Sequence, residues 1–152
     1  MEKREILGNI SRIIDEAKAA IFTTVDGEGA PQTRWMTPAL LPGREGAVYA
    51  VAYRSSRKLR HVAANPRTQW TFSSPALDRI LLVDGRANIV DNPSIRAEVL
   101  EAVGERLRAF WKMYDDERDL LVIETVVERA QYYLPMKAMK ETVTFEQEKP
   151  GG

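Results

Sequence analysis

The sequence lacks cysteine and has a single histidine, His61, among its 152 residues. The absence of cysteine excludes disulfides, thiolate metal sites and cysteine nucleophiles. One histidine cannot form a multi-histidine metal cluster within a chain. The acidic run at Asp115, Asp116, Glu117 and Asp119 lacks the glycine and the terminal glutamate of a calcium loop. We therefore expect no metal site.

The sequence also has no excess of charge of either sign and no long apolar run. Its 22 basic residues balance its 22 acidic residues, so neither nucleic acid nor an anionic membrane surface is an expected partner. No segment approaches the roughly 18 apolar residues that cross a bilayer. The first 18 residues alternate charged residues with isoleucine, unlike a signal peptide. We expect one cytoplasmic domain over residues 1–152.

Hydrophobic periodicity predicts a mainly β chain with flanking helices. An amphipathic helix is expected over 3–18, a short helix after Ser55-Ser56, and a longer helix capped by Asn92. Strands are predicted at about 20–25, 31–40, 47–53, 68–72, 79–90, 120–127 and 130–134, with a bulge or bend at Gly85. Most loops are too short for parallel crossovers, which indicates an antiparallel sheet closed into a barrel over about 20–135. The tail, 136–152, is polar and expected to be partly loose.

Two positions carry the candidate chemistry. Ser56, Arg57 and Lys58 lie where a strand ends and a helix begins, a pattern typical of a phosphate site. A serine cap followed by solvated basic residues is the alternative. Arg34, inside a predicted strand, needs a carboxylate, a phosphate or solvent.

The aromatic residues and the histidine have a simpler expected placement. The aromatic residues could stack on a planar ligand, although core packing is the commoner role of strand aromatics; they are Trp35, Trp70, Trp111, Tyr132 and Tyr133. His61 is expected on the helix surface.

The order of several segments resembles that of a known family. These segments are TTVDGEGAPQTRWM, YAVAYRSSRKLRHVAANPRTQWTF, DRILLVDGRANIVDN and ERAQYYL. Together they resemble the pyridoxamine 5'-phosphate oxidase-like FMN-binding split-barrel family, in its general stress protein 26-like branch. The resemblance implies a six-stranded antiparallel Greek-key split barrel that forms a homodimer with FMN at the subunit interface.

The resemblance also implies which residues bind FMN. Ser56, Arg57 and Lys58 match the phosphate-binding turn, and Arg34 matches a strand arginine near the phosphate. The residues matched to the flavin ring are Trp35, Met36 and Thr37 along one strand, Val51 and Ala52 at another strand end, and Tyr133 from the second subunit.

Departures from the oxidase pattern concern the substrate rather than the cofactor. Ala39 stands where the oxidase has a lysine, Ile80 follows Arg79 where the oxidase has a glutamine, and the oxidase's C-terminal substrate segment is missing. The sequence therefore predicts an FMN-dependent oxidoreductase with little or no pyridoxamine phosphate oxidation and no recognisable catalytic acid or base. A non-catalytic flavin-binding redox or stress protein and a deazaflavin-dependent reductase remain alternatives, and the single histidine makes haem a weaker one.

Overall fold

The computed structural model describes residues 1–110 and 117–145, with backbone alone for 105–110 and 117. Trp111, Asp115 and Asp116, which the sequence analysis considered, lie outside this range. The helices are α1 (Lys3–Ala17), α2 (Arg57–Ala64) and α3 (Pro93–Phe110). The strands are β1 (Ala20–Val25), β2 (Pro31–Met36), β3 (Ala47–Tyr53), β4 (Arg67–Ser73), β5 (Ile80–Val90), β6 (Leu120–Leu134) and β7 (Met139–Thr144).

All strand pairs in the sheet are antiparallel, in the order β2-β1-β4-β5-β6-β3. The chain after β2 returns to β3, where Ala39 and Tyr49 exchange backbone hydrogen bonds of 2.7 and 2.8 Å. This bridge joins the two ends of the strand order and closes the sheet. The predicted mainly β, antiparallel barrel is thus confirmed.

The strand count and the tail differ from the prediction. The segments predicted as two strands, 120–127 and 130–134, form the single strand β6, which reduces the seven predicted strands to six. A strand in the tail brings the described residues back to seven strands, one more than the resemblance implies. Exposed Glu128 and Arg129 interrupt the apolar pattern. The register to β5 shifts at Glu128, which lies opposite no residue of β5, and the pairing resumes at Arg129. The tail continues as β7, which pairs with the second half of β6. Its mostly exposed side chains explain why hydrophobicity did not reveal it.

The core lies inside the closed sheet, under α1. The apolar stripe of α1 is buried with aromatic residues from β1 and β4, including Phe22, Trp70 and Phe72. Trp70 is fully buried and donates from Nε1 to Thr125 Oγ1 at 3.1 Å, so the core role expected for strand aromatics applies to it. Helix α3 covers the outer face of β3 and β6 through Val99 and Val103. No helix in the described ranges is long and apolar enough to cross a membrane.

Candidate anion-binding site

The start of α2 carries a buried hydroxyl, that of Ser56. After β3 ends, the Ser56 N–H donates to Tyr53 O at 2.9 Å, and Ser56 becomes the N-cap residue of α2 with an extended backbone. Its side chain makes no capping hydrogen bond, and its buried Oγ has no partner among the residues that the structure describes. A buried hydroxyl without a partner is costly. The position therefore suits a ligand that can hydrogen-bond to this hydroxyl.

A cavity of about 360 Å³ lies between α2 and the β1–β2 hairpin. Polar side chains line it: Asp26, Gln32, Arg34, Arg57, Lys58 and His61. The structure thus brings together three of the four predicted phosphate-binding residues, although Arg34 lies more than 20 positions before Arg57 and Lys58 in the sequence. Ser56, the fourth, directly precedes Arg57 without lining the cavity.

Arg34 reaches the cavity because alternate residues of β2 face the same side of the sheet. Its Nη1 donates to Thr24 Oγ1 at 2.7 Å and to Phe22 O at 3.3 Å. Partial burial lowers the pKa of Arg34, but an arginine of this kind keeps its charge at neutral pH. None of the ion pairs found among the described residues involves Arg34. The guanidinium therefore brings a positive charge to the cavity, and no described carboxylate lies within ion-pair distance of it.

Lys58 brings a second desolvated cation. Burial is the main cause that lowers the pKa of Lys58, and repulsion from Arg34 lowers it further. Arg57 is exposed at the rim of the same cavity. Three cations close together repel one another, and an anion among them would relieve this repulsion.

Asp26 is the one carboxylate among the lining residues. One of its oxygens accepts the N–H groups of Glu28 and Ala30, both at 2.9 Å, and the other accepts Gln32 Nε2 at 2.9 Å. These hydrogen bonds lower the pKa of Asp26, so it is ionised at neutral pH. The three cations and the one carboxylate of the lining together carry a net charge of +2.

The sequence analysis expected His61 on the helix surface, and this prediction was wrong. His61 is half-buried, lines the cavity, and its Nδ1 lies 2.9 Å from Thr24 Oγ1. The reason is helical spacing: His61 follows Arg57 by four residues, so both lie on the face of α2 that packs on the hairpin. Sequence reasoning missed Thr24 and Asp26 as well, although the spacing of His61 from Arg57 and Lys58 was a usable signal.

The residues predicted along the flavin ring are not brought together within one chain. Trp35 is 55% exposed and faces away from Arg34, because neighbouring strand residues alternate. The side chains of Met36, Thr37 and Ala52 are buried in the chain's interior. Contacts from these three would have to come from backbone groups, and their predicted roles stay predictions.

Val51 and Tyr133 lie elsewhere on the sheet. The Val51 side chain is buried, but its peptide groups point the same way as those of Tyr49, toward the outer edge of β3. Beyond the bridge at Ala39, no described strand covers that edge. Tyr133, on β6 opposite Ile80, is 38% exposed and does not line the cavity. Its predicted contact with a second subunit stays a prediction.

The curated proteins whose sequences match this chain share one description. The pyridoxine/pyridoxamine 5'-phosphate oxidase of Pseudomonas entomophila (strain L48) is 40% identical over 75 residues, which cover 49% of this chain and 34% of that protein. The corresponding protein of Pseudomonas putida (strain GB-1) is 36% identical over 98 residues, which cover 62% of this chain and 44% of that protein. The chain thus spans less than half the length of these curated relatives.

Solved structures share the fold at low sequence identity. A Clostridium acetobutylicum protein related to general stress protein 26 of Bacillus subtilis has a TM-score of 0.73 at 13% identity, covering 95% of this chain and 96% of its own. An F420 reductase has a TM-score of 0.63 at 21% identity, covering 79% and 94%. A haem-binding protein from Mycobacterium smegmatis has a TM-score of 0.67 at 19% identity, covering 89% and 56%. These likenesses show the split-barrel fold alone.

The family itself is shown by the sequence match. The model of the family described as pyridoxamine 5'-phosphate oxidase matches residues 6–133, which include every element from the greater part of α1 to β6. This confirms the family resemblance that the sequence motifs indicate. The chain belongs to the pyridoxamine 5'-phosphate oxidase family.

Proposed function

We propose that the chain binds FMN, with the FMN phosphate in the cavity between α2 and the β1–β2 hairpin. The observation that carries this proposal is the net charge of +2 on the cavity lining, set by Arg34, Arg57, Lys58 and Asp26. A phosphate monoester carries close to two negative charges at neutral pH. Charge-assisted hydrogen bonds from arginine and lysine are the strong protein contacts to such a group.

The residues present also fit FMN in a second respect. The Ser56 hydroxyl lacks a partner among the described residues, and it lies at the N-terminus of α2, where backbone N–H groups favour an anion. When bound, FMN would supply the hydride or electron transfer. Arg34, Arg57 and Lys58 would hold its phosphate, and the backbone along β2 and the open edge of β3 would orient its ring.

FMN fits the cavity better than the two other cofactors bound on this fold. A deazaflavin of the F420 type joins its phosphate as a diester, which carries less charge than a monoester and would leave part of the cationic lining unneutralised. Haem needs an apolar pocket and an axial ligand. All six residues that line the cavity are polar or charged, and the Nδ1 of the single histidine already contacts Thr24.

The proposed activity is that of an FMN-dependent oxidoreductase whose substrate is not pyridoxamine phosphate. Ala39 replaces the lysine of the oxidase pattern, is 1% exposed, and uses its backbone to pair with Tyr49. Ile80, which replaces the glutamine, cannot donate a hydrogen bond from its side chain. The same two observations favour a second candidate, a flavin-binding redox protein without turnover. Bleaching of bound flavin by a nicotinamide donor and reoxidation by a defined acceptor would favour the enzyme.

We also propose a homodimer with FMN at the subunit interface. The exposed apolar side chains of Trp35 and Tyr133 and the open edge of β3 support it, because a second copy could cover them. Light scattering should give twice the chain mass of 17.2 kDa. A mass of one chain at micromolar concentration would contradict the dimer.

The test of FMN binding is an absorbance spectrum of the purified protein before and after incubation with FMN and desalting. Flavin bands should be retained by the wild type, and Arg57→Ala/Lys58→Ala should weaken FMN binding more than tenfold, since each charged hydrogen bond contributes about 1.5–3 kcal/mol. Arg60→Ala is the matched control, because Arg60 is exposed on the same helix and does not line the cavity. Equal weakening by both variants, or none by either in folded protein, would contradict the phosphate assignment.

A further inference from the structure

The buried hydroxyl of Thr24 connects two residues of the cavity. Thr24 is fully buried in β1. Its Oγ1 lies 2.7 Å from Arg34 Nη1 and 2.9 Å from His61 Nδ1. Three residues from β1, β2 and α2 therefore form one hydrogen-bonded chain.

The direction of these hydrogen bonds follows from the chemistry of the partners. Arginine can only donate, so Thr24 Oγ1 accepts from Arg34 and still has its own proton to place. Within the described part of the chain, His61 Nδ1 is the other hydrogen-bond partner that the structure gives this hydroxyl. A buried donor left without an acceptor costs about 1–3 kcal/mol, so the Thr24 proton points at Nδ1.

This direction fixes the tautomer of His61. When Nδ1 accepts a hydrogen bond, the proton of the neutral imidazole resides on Nε2. Protonation of Nδ1 as well would take the acceptor away from Thr24. The hydrogen bond from Thr24 thus selects Nε2 as the protonated nitrogen of the neutral ring.

The Nε2–H group is the ring donor that remains for the cavity. His61 lines the cavity together with Arg57 and Lys58, and its Nδ1 is occupied by Thr24. Phosphate oxygens accept hydrogen bonds strongly, so this N–H has a natural acceptor in a bound phosphate.

We infer that His61 is an additional anion-binding residue, whose Nε2–H donates to the bound phosphate, and that Thr24 is the positioning residue that fixes its tautomer. The anion is the phosphate of the proposed FMN, so the identity of the ligand depends on that proposed function. The tautomer and the anion contact can be measured without FMN.

Two-bond ¹H–¹⁵N correlation spectra of ¹⁵N-histidine-labelled protein test the tautomer directly. Because the chain has one histidine, the spectrum contains one imidazole. The ligand-free wild type should show the Nε2–H tautomer, and Thr24→Val, which keeps the shape and removes the hydroxyl, should show a mixture of tautomers. An Nδ1–H tautomer or an imidazolium at neutral pH in the wild type would overturn the inference. An unchanged Nε2–H form in folded Thr24→Val would remove the positioning role of Thr24.

Titration with inorganic phosphate, and then with FMN, tests the anion contact. The Nε2 resonance should shift with either ligand, His61→Leu should weaken FMN binding on the order of tenfold, and His61→Gln, which can still donate from its amide, should retain most of the affinity. A phosphate-induced shift without FMN binding would uphold His61 as an anion-binding residue and remove the proposed function. If FMN binds without shifting the Nε2 resonance, and His61→Leu binds FMN as tightly as the wild type does, the proposed function stands and the role of His61 in anion binding is removed.

Discussion

Lys58 is held in the site at the expense of stability. Burial and the neighbouring Arg34 lower its pKa, which means that the folded chain disfavours its charged form. In the ligand-free protein, the free energy of unfolding should therefore rise with pH as Lys58 loses its proton, because the unfolded chain holds that proton longer. An anion bound in the cavity reverses this preference, since it stabilises the charged lysine.

Burial and a bound anion have opposite effects on the charge of Lys58, and this predicts how FMN binding depends on pH. As the pH rises, FMN affinity should fall at a lower pH in the wild type than in Lys58→Arg. The reason is that arginine stays charged at pH values at which a lysine with a lowered pKa loses its proton. Dissociation constants for both proteins from about pH 7 to about pH 9.5 would measure the difference. Superimposable profiles would show that the charge of Lys58 does not contribute to binding.

At the residue scale, the sequence predicted the local parts of the site and missed the long-range ones. Arg57 and Lys58 follow a strand and open a helix, a pattern visible within a few residues. The contact between Thr24 and His61 joins residues 37 positions apart. It depends on the packing of α2 against β1, which no local pattern contains.

At the scale of elements, β6 organises the sheet. One edge of β6 pairs with β5 along its length, while its other edge pairs first with β3 and then with β7. The register to β5 shifts between Asp84 and Gly85, at the residue where the sequence predicted a bulge or bend. Glycine is needed there because an added Cβ would lie 2.5 Å from Val126 O, a backbone atom that cannot move aside.

Substitution of this glycine should destabilise the barrel. Gly85→Ala is expected to lower the free energy of unfolding by roughly 1–3 kcal/mol, since the new methyl group forces the backbone of β6 to shift. Gly27→Ala is the matched control, because a Cβ at Gly27 would meet no atom within 4 Å. Urea denaturation of both variants measures the difference. Equal stability of the two would show that β6 can accommodate the extra atom.

The sequence predicted the elements well where the pattern of burial is regular. Helix α1, β1 and β3 were placed within one residue of their observed ends, because apolar residues recur there at the spacing of a helix or in a buried run. It failed at β7, whose side chains are mostly exposed and whose structure comes from backbone pairing with β6. It also divided β6 at Glu128 and Arg129, which are exposed although the strand continues.

At the scale of the whole molecule, a chain without net charge concentrates positive charge in one place. The 22 basic and 22 acidic residues cancel overall, yet the lining of the cavity carries a net charge of +2. Composition alone therefore says nothing about this site. The charge becomes visible when α2 and the β1–β2 hairpin bring Arg34 together with Arg57 and Lys58.

The most direct test of this account compares FMN with riboflavin, which has the same ring system and no phosphate. Dissociation constants of both ligands for the ligand-free wild type can be measured by fluorescence titration at neutral pH. If the cavity binds the phosphate, FMN should bind at least tenfold more tightly than riboflavin, because the phosphate adds several charge-assisted hydrogen bonds. Equal affinities, or no binding of FMN to the folded protein, would contradict the proposal that this cavity is the phosphate site of a flavoprotein.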